Sequence, residues 1–268
     1  MSDGRLLQPV VDPALAAQLG GSGVPVRWER LTSPETVEAV RACDAVIIPV
    51  GAIEQHGPHL GLSVDAEIAQ HVALGVSALT GVPAAPVLHY GVSGSHGGLP
   101  GSLSLRPETL VMMLEDVIDS FYAQGVRQFV LLNAHTWNAG PMEVAADKAR
   151  VKYDDVRVRI IFYVTMYPGA QVDGHVTYGR GLMHANYFET SLMLAIDPQN
   201  VHMERAVSLE DRDTFWDYRT DQVSVSGVWG RDVEQATAAN GEREVERCIR
   251  TTALAVAAAV AEDWPQPR

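Results

Sequence analysis

Cysteine and long apolar runs are both scarce in this chain. Only two of its 268 residues are cysteines, Cys43 and Cys248, and they lie far apart outside any Cys-x-x-Cys arrangement. This spacing excludes a disulfide framework and a thiolate zinc site, and it predicts buried thiols in a reducing compartment. The N-terminal residues lack the basic start and apolar core of a signal peptide, and no segment is long enough to span a bilayer, so we expect a cytoplasmic protein.

Positive charge is also in short supply. The 20 lysines and arginines face 33 aspartates and glutamates, which gives a formal net charge of -13. Binding to nucleic acid or to an anionic membrane surface needs a basic face, so both are excluded as general partners and a small molecule is expected instead. With 47% hydrophobic residues, the chain can build one sizeable core, and we expect a single domain over residues 1–268.

Apolar patterning predicts alternating strands and helices. Repeated strand-then-helix order is typical of a mostly parallel sheet with helices on both faces, and this predicts an α/β fold. The predicted strands cover residues 45–50, 83–88, 128–132 and 156–165, and the predicted helices cover 36–43, 65–79, 107–124, 141–153, 189–196 and 251–261.

Two stretches do not follow this alternation. Residues 1–32 are predicted to form an irregular N-terminal arm, and residues 203–244 are more polar and less regular than the remainder. We interpret the second stretch as an active-site or subunit-contact insertion, with an ordinary surface excursion as the alternative.

The most informative polar cluster follows the first predicted strand. Glu54, His56, His59 and Asp65 come directly after a buried apolar run, and function in open α/β sheets sits at such strand ends. Alternate residues of an extended segment point the same way, so Glu54 and His56 are expected to address one point while Gln55 faces elsewhere. Turn residues then allow Asp65 to return to that point, and its carboxylate is able to bridge two cations. The segment therefore predicts a metal site.

Further clusters supply candidate partners for this site. His135 follows the strand predicted at 128–132, and His184 and Glu189 flank the start of a later helix. For His135 the alternative is a backbone hydrogen bond at a helix start, and for Glu189 it is an acid favoured by the helix dipole. Ser95 and His96 lie in a glycine-rich loop that lacks the lysine of a phosphate loop, so His96 is predicted to contact substrate or, alternatively, solvent.

Taken together, these segments resemble the creatininase family. The resemblance implies a three-layer α/β/α amidohydrolase with two divalent ions, of zinc, manganese or iron, usually assembled as a hexamer. The matching segments are Glu54-Gln55-His56-Gly57-Pro58-His59-Leu60, Asp65, the His96 loop with Pro100-Gly101-Ser102, Asn133-x-His135, residues 184–191 and residues 227–242.

The family pattern also implies roles for individual residues. Glu54, Asp65 and His135 would hold one ion, and His56, Asp65 and Glu189 would hold the other, so that Asp65 bridges. His184 corresponds to the family's histidine that is not a ligand. It is the expected proton shuttle, and with Glu54 it makes up the predicted catalytic pair.

Departures from the family pattern concern the substrate. Trp137 stands where members commonly carry glycine and where creatininase itself carries a metal-binding glutamate, so the resemblance implies that this chain is not a true creatininase. Trp137 is predicted to form a flat wall of the pocket or, alternatively, a core or subunit contact. Asn186 and Tyr187 also depart from the pattern and are predicted, with Ser95 and His96, to bind substrate.

These features predict a metal-dependent hydrolase. Paired divalent ions would activate water against a non-peptide C–N bond, as in a cyclic amide or formamide of a small polar molecule. One alternative is hydrolytic C–C ring opening of an oxidised cyclic polyol of the diketo-inositol type, since the family resemblance extends to such enzymes. A metal-dependent sugar isomerase or epimerase and a noncatalytic metal-binding or scaffold protein of the same fold are further alternatives.

Overall fold

The computed structural model describes residues 8–163, 171–172, 175–176, 184–209 and 218–264. Three parallel strands form its main sheet in the order β1 (Ala45–Val50), β2 (Gln128–Asn133) and β3 (Arg157–Phe162). Their carboxyl ends are in register, because Val50 pairs with Asn133 and Asn133 with Phe162. The loops that leave these strands therefore begin side by side at one edge of the sheet.

The strand predicted at 83–88 is only partly formed. Its backbone bonds to β1 through Ile47 N–H to Pro83 O at 2.9 Å and Leu88 N–H to Pro49 O at 2.9 Å, but only isolated bridges result. Pro83 and Pro86 have no N–H to donate, which interrupts the ladder on this side of β1.

Alternate residues of the strands pack on opposite faces of the sheet. Ile47 and Leu132 join one core cluster with helices α1 (Pro13–Leu19), α3 (Val64–Thr80), α6 (Tyr187–Ile196) and α8 (Ala238–Ala261). Ile48 and Leu131 join a second cluster with α4 (Pro107–Ala123) and α5 (Ala139–Lys152). A parallel sheet thus lies between two helical layers, and the predicted three-layer α/β fold class is confirmed.

Helix boundaries follow local capping chemistry. Helix α2 (Ser33–Ala42) begins after a capping box in which Thr32 and Glu35 bond reciprocally. Helix α3 ends at Gly81, whose φ of 74° is the left-handed conformation that glycine tolerates best. Helix α4 begins with Pro107, where the missing N–H costs nothing.

Two predictions about irregular segments need correction. Within the N-terminal 32 residues, α1 is a regular helix capped by Asp12, whose carboxylate accepts from Ala14 N–H at 2.8 Å. The sequence predicts that the final helix begins at residue 251, but it begins at residue 238, inside the stretch predicted as a polar insertion. Its buried residues recur at helical spacing, as Val245, Cys248, Ile249 and Thr252 show, and charged residues on the outer face mask that period in the sequence.

Among its described residues, the rest of the predicted insertion holds short elements only. These are α7 (Thr220–Val223) and the 3-10 turns Met203–Arg205 and Val233–Gln235. Residues 1–7 and 210–217, and the end of the strand predicted to reach residue 165, lie outside the described residues. The short strands β4 (Gln171–Val172) and β5 (His175–Val176) pair antiparallel. No helix in the described part of the chain is long and apolar enough to cross a bilayer.

Candidate metal centre

The five predicted ligands converge beyond the carboxyl ends of β1 and β2. Glu54 and His56 lie in the loop after β1, Asp65 is the second residue of α3, His135 follows β2, and Glu189 lies in the first turn of α6. Each side chain is buried. The register of the sheet explains why these side chains lie close together, since the loops that follow parallel strands begin at the same edge.

Asp65 stands at the middle of this cluster. Its Oδ2 lies 3.2 Å from His135 Nδ1, which is itself 3.3 Å from Glu54 Oε1. Its Oδ1 lies 3.6 Å from His56 Nε2, which is 3.9 Å from Glu189 Oε2. Two groups of donor atoms, each within 4.8 Å of one another, therefore share this one carboxylate.

Backbone carbonyls orient the ligand histidines. His56 Nδ1 lies 3.2 Å from Glu54 O, and His135 Nε2 lies 2.9 Å from Val92 O. Because a carbonyl oxygen only accepts, each of these ring nitrogens must carry the proton. A neutral ring then directs its other nitrogen, with a free lone pair, towards the carboxylates, which is the usual arrangement behind a metal-binding histidine.

The charge balance of the cluster also calls for a cation. Burial disfavours a charged His56, yet the carboxylates of Asp65, Glu189 and Glu54 outweigh it and raise the pKa of His56 to about 9. Burial raises the pKa of Glu189 to about 7. Among the described residues that line the cavity there is no lysine or arginine. Buried Glu54 Oε2, His56 Nε2 and Asp65 Oδ2 have no hydrogen-bond partner in this part of the chain. These donors fit divalent cations.

The cluster forms the floor of a narrow cavity with aromatic walls. His96 and His184 stand beside the cluster, with ring centroids 4.1 Å apart. Both reach Glu54 Oε1, His96 through Nε2 at 3.6 Å and His184 through Nδ1 at 3.5 Å. The aromatic residues of the walls are Trp137, Phe162, Tyr163, Phe188 and Trp229.

Two of the five predicted substrate contacts line this cavity and three do not. His96 and Trp137 lie on its wall. Asn186 instead caps α6, where its Oδ1 accepts from Glu189 N–H at 2.9 Å. Tyr187 packs in the hydrophobic core, and Ser95 lies half-buried in a short 3-10 turn outside the cavity lining. Helix α6 begins two residues earlier than predicted, and this turns Asn186 and Tyr187 away from the cavity.

Three residues near the site lie where the sequence does not predict them. Trp229 reaches the cavity because its backbone bonds to that of His184, with Trp229 N–H donating to His184 O at 2.9 Å. Gln55 was expected to face away, but its buried amide lies between His96 and His184. His59 stays outside the donor groups and bonds through Nε2 to Thr190 Oγ1 at 2.9 Å.

Known proteins share both the sequence and the fold. Creatinine amidohydrolase of Pseudomonas putida is 30% identical over 255 residues, which cover 88% of this chain and 96% of the relative. Mycofactocin precursor peptide peptidase of Mycobacterium tuberculosis is 32% identical over 253 residues, which cover 86% of this chain and 92% of the relative. The 3-dehydro-scyllo-inosose hydrolase of Thermotoga maritima is 31% identical over 196 residues, covering 70% of this chain and 61% of that one.

Solved structures agree with these relatives. A crystal structure of creatinine amidohydrolase (creatininase) superposes with a TM-score of 0.75 and 28% identity, covering 89% of this chain and 99% of the other. A structure described as creatininase with Mn superposes with a TM-score of 0.73 and 28% identity, covering 87% of this chain and 97% of the other. The family model described as creatinine amidohydrolase matches residues 29–256. As its motifs predicted, the chain belongs to the creatininase family of hydrolases.

Proposed function

We propose that this hydrolase uses a binuclear divalent-metal site to cleave a non-peptide C–N bond, in a cyclic amide or formamide of a small polar molecule. The observation that carries the proposal is the pair of donor groups that share Asp65 on the floor of an aromatic cavity. A bridging carboxylate between two sets of nitrogen and oxygen donors is suited to two ions held close together.

The residues proposed for each ion follow the two groups. Glu54, Asp65 and His135 would hold one ion, and His56, Asp65 and Glu189 the other. Zinc, manganese and iron all accept such donors, and a solved relative is described with manganese. When bound, such ions lower the pKa of water and polarise a carbonyl group.

His184 is the proposed proton acceptor. We assign the ring proton to Nε2, which lies 2.6 Å from the backbone carbonyl of Gln55 and 2.7 Å from its side-chain nitrogen, so that Nδ1 keeps its lone pair. That Nδ1 lies 3.5 Å from Glu54 Oε1, at the edge of the cluster. Burial, with the nearby histidines, holds the pKa of His184 well below its ordinary value. A neutral imidazole is therefore available to take a proton and return it to the leaving group, with Glu54 beside it.

The walls of the cavity favour a small, flat substrate. Trp137 and Trp229 supply planar apolar walls, and His96 adds a polar group. Ring faces stack well on such walls, while the polar floor interacts with the scissile group. Trp137 occupies the position of a metal ligand in the family pattern, and we propose that it contacts the substrate instead.

A second candidate is hydrolytic C–C ring opening of an oxidised cyclic polyol. The specific observation in its favour is the 31% identity to 3-dehydro-scyllo-inosose hydrolase. Product analysis separates the two proposals. Release of ammonia, amine or formate marks C–N cleavage, whereas ring opening of a β-diketone without a nitrogen product marks C–C cleavage. A peptide amide belongs in the same panel because one relative is a peptide peptidase.

The first experiment is metal content per chain, measured by mass spectrometry on protein purified without chelator. We expect about two ions per wild-type chain and fewer in Glu54→Ala and Glu189→Ala, because each removes a donor. Absence of bound metal, with none taken up on titration, would sink the proposed mechanism. Stoichiometric metal without turnover on cyclic amides, formamides and diketones would instead support the noncatalytic alternative.

A homo-oligomer is proposed on the family resemblance, with a hexamer as the expected size, and the cytoplasm is the proposed location. Sedimentation velocity on the purified chain tests the first point. A monomer at micromolar concentration would contradict it.

A further inference from the structure

Gln55 holds a buried amide between two histidines of the cavity. Its side-chain Nε2 lies 3.1 Å from His96 Nδ1, 2.7 Å from His184 Nε2 and 3.3 Å from Gly227 O. Its Oε1 accepts from Gly57 N–H at 3.0 Å. A backbone donor at one end and a backbone acceptor at the other fix which end of the amide is oxygen and which is nitrogen.

The surroundings of Gln55 are built to hold this amide. Gly227 has a φ of 81°, and a Cβ at that position would lie 1.9 Å from Gln55 Oε1, so only glycine leaves room. The backbone N–H of Gln55 donates to Ser102 Oγ at 3.0 Å. The residue as a whole is 5% exposed. The backbone and the side chain of Gln55 are therefore both held by residues that are not proposed metal ligands.

The hydrogen-bond partners decide where each neighbouring ring carries its proton. The amide nitrogen of Gln55 only donates and has two hydrogens for three neighbours, and we assign them to His96 Nδ1 and Gly227 O. His96 Nδ1 then accepts, which leaves the ring proton on Nε2, the atom that faces Glu54 Oε1 at 3.6 Å. His184 Nε2, which lies 2.7 Å from the same nitrogen and 2.6 Å from the backbone carbonyl of Gln55, is then assigned as a donor to that carbonyl, which leaves the lone pair on Nδ1.

We propose that Gln55 is a positioning residue that gives these two histidines opposite roles, with His96 presenting an N–H donor and His184 presenting a lone pair to the cavity. This inference rests on the proposed hydrolase function. A donor suits the carbonyl oxygen of a substrate, on which negative charge grows during attack, and a lone pair suits the transfer of a proton. The side-chain amide of Gln55 acts on His96 and its backbone carbonyl acts on His184, so one residue divides two adjacent imidazoles into a donor and an acceptor.

Thr220 offers the competing explanation for His96. Its Oγ1 lies 2.9 Å from the same Nδ1 and is able either to donate or to accept. If Thr220 set the tautomer, loss of Gln55 would leave His96 unchanged. If Gln55 sets it, loss of Gln55 frees Nδ1 to take the proton and donate to Thr220.

Nitrogen-15 NMR of histidine-labelled protein reads these tautomers directly. His96→Asn and His184→Asn assign the two rings by loss of their signals. In wild type we expect the proton on Nε2 of both rings. We expect the His96 signals to shift towards the Nδ1–H form in Gln55→Met, and to stay unchanged in Thr220→Val and in the exposed control Gln124→Met. A proton on Nδ1 of either ring in wild type overturns the proposal, and so does a shift in Thr220→Val without one in Gln55→Met.

Kinetics supply the second readout. We expect kcat to fall about 10- to 100-fold in Gln55→Met with KM and metal content little changed, as for other groups that orient active-site side chains. Gln55→Glu keeps the shape but puts an acceptor opposite His96, so we expect no rescue, and full activity in this variant would overturn the proposal. If wild type hydrolyses nothing, the proposed function fails while the NMR comparison still decides the role of Gln55.

Discussion

Glu189→Gln should reduce the stabilisation that divalent metal gives to this chain. Glu189 Oε2 accepts from Ala185 N–H at 2.6 Å, and a glutamine oxygen is able to keep that bond, so the start of α6 should survive the change. The substitution removes a negative charge located 3.9 Å from His56 Nε2. It therefore tests the proposed ligand role of Glu189 while retaining the shape of the side chain.

The size of the effect follows from binding linkage. For the one ion that Glu189 would hold, metal at about 1,000 times its Kd stabilises the folded chain by about 4 kcal/mol. Since ~1 kcal/mol shifts the Tm of a chain of this size by about 2–4 °C, this ion should contribute about 8–16 °C to the rise in the wild-type Tm. A 100-fold weaker site at the same metal concentration leaves about 1.4 kcal/mol. In Glu189→Gln the contribution of this ion should then fall to about 3–6 °C, with that of the other ion kept.

Differential scanning calorimetry measures these shifts on protein that has been stripped of metal with a chelator, with and without added Mn²⁺. Glu143→Gln is the matched control, because it removes the same charge from an exposed position of helix α5, and its shift should equal that of wild type. Equal shifts in wild type and Glu189→Gln would refute a ligand role for Glu189. Absence of any shift in wild type would refute the metal site itself.

Three further predictions concern packing, substrate and proton transfer. Gly75→Ala should lower the free energy of unfolding by about 1–3 kcal/mol, because its Cβ would lie 2.5 Å from Ile249 Cδ1. Urea unfolding measures this change, and an unchanged free energy of unfolding would argue against close packing of Gly75 on Ile249. Trp137→Ala should raise KM more than it lowers kcat if the indole binds substrate, and equal losses in both would argue against this. His184→Asn should lower kcat about 100- to 10,000-fold with full metal content, whereas metal loss would identify His184 as a ligand.

Polar residues that follow buried strands predict where the site forms. A buried strand followed by polar residues occurs twice, before Glu54 and before His135, and parallel pairing brings those two loops together. Turn residues after His56 predict the return of Asp65 to the same place. Glu189 is harder to place from spacing alone, because its position depends on how α6 packs against the sheet, and for this residue the family pattern supplies what local sequence does not.

The predicted orientation of Gln55 is wrong because side chains alternate between faces only within an extended strand. Strand β1 ends at Val50, and the residues after it form isolated bridges and turns instead of an extended chain. At Gly57, where φ is 67°, the chain bends back, and its N–H bonds to the side chain of Gln55 two residues earlier. Side-chain direction in such a loop depends on distant partners such as Gly227, which local sequence does not reveal.

Charge distribution explains why this fold tolerates so many buried acids. Asp65 and Glu189 both lie in the first turn of a helix, so the positive ends of the α3 and α6 dipoles point at the cluster. Such a dipole contributes about 0.3–2 kcal/mol to a nearby carboxylate, whereas burying an ion costs several kcal/mol. The helices therefore offset only part of the cost, and protonation of His56 and His135 offsets more of it in the metal-free chain. A bound divalent ion would replace those protons and free both imidazoles to act as ligands, so folding and metal binding should stabilise each other.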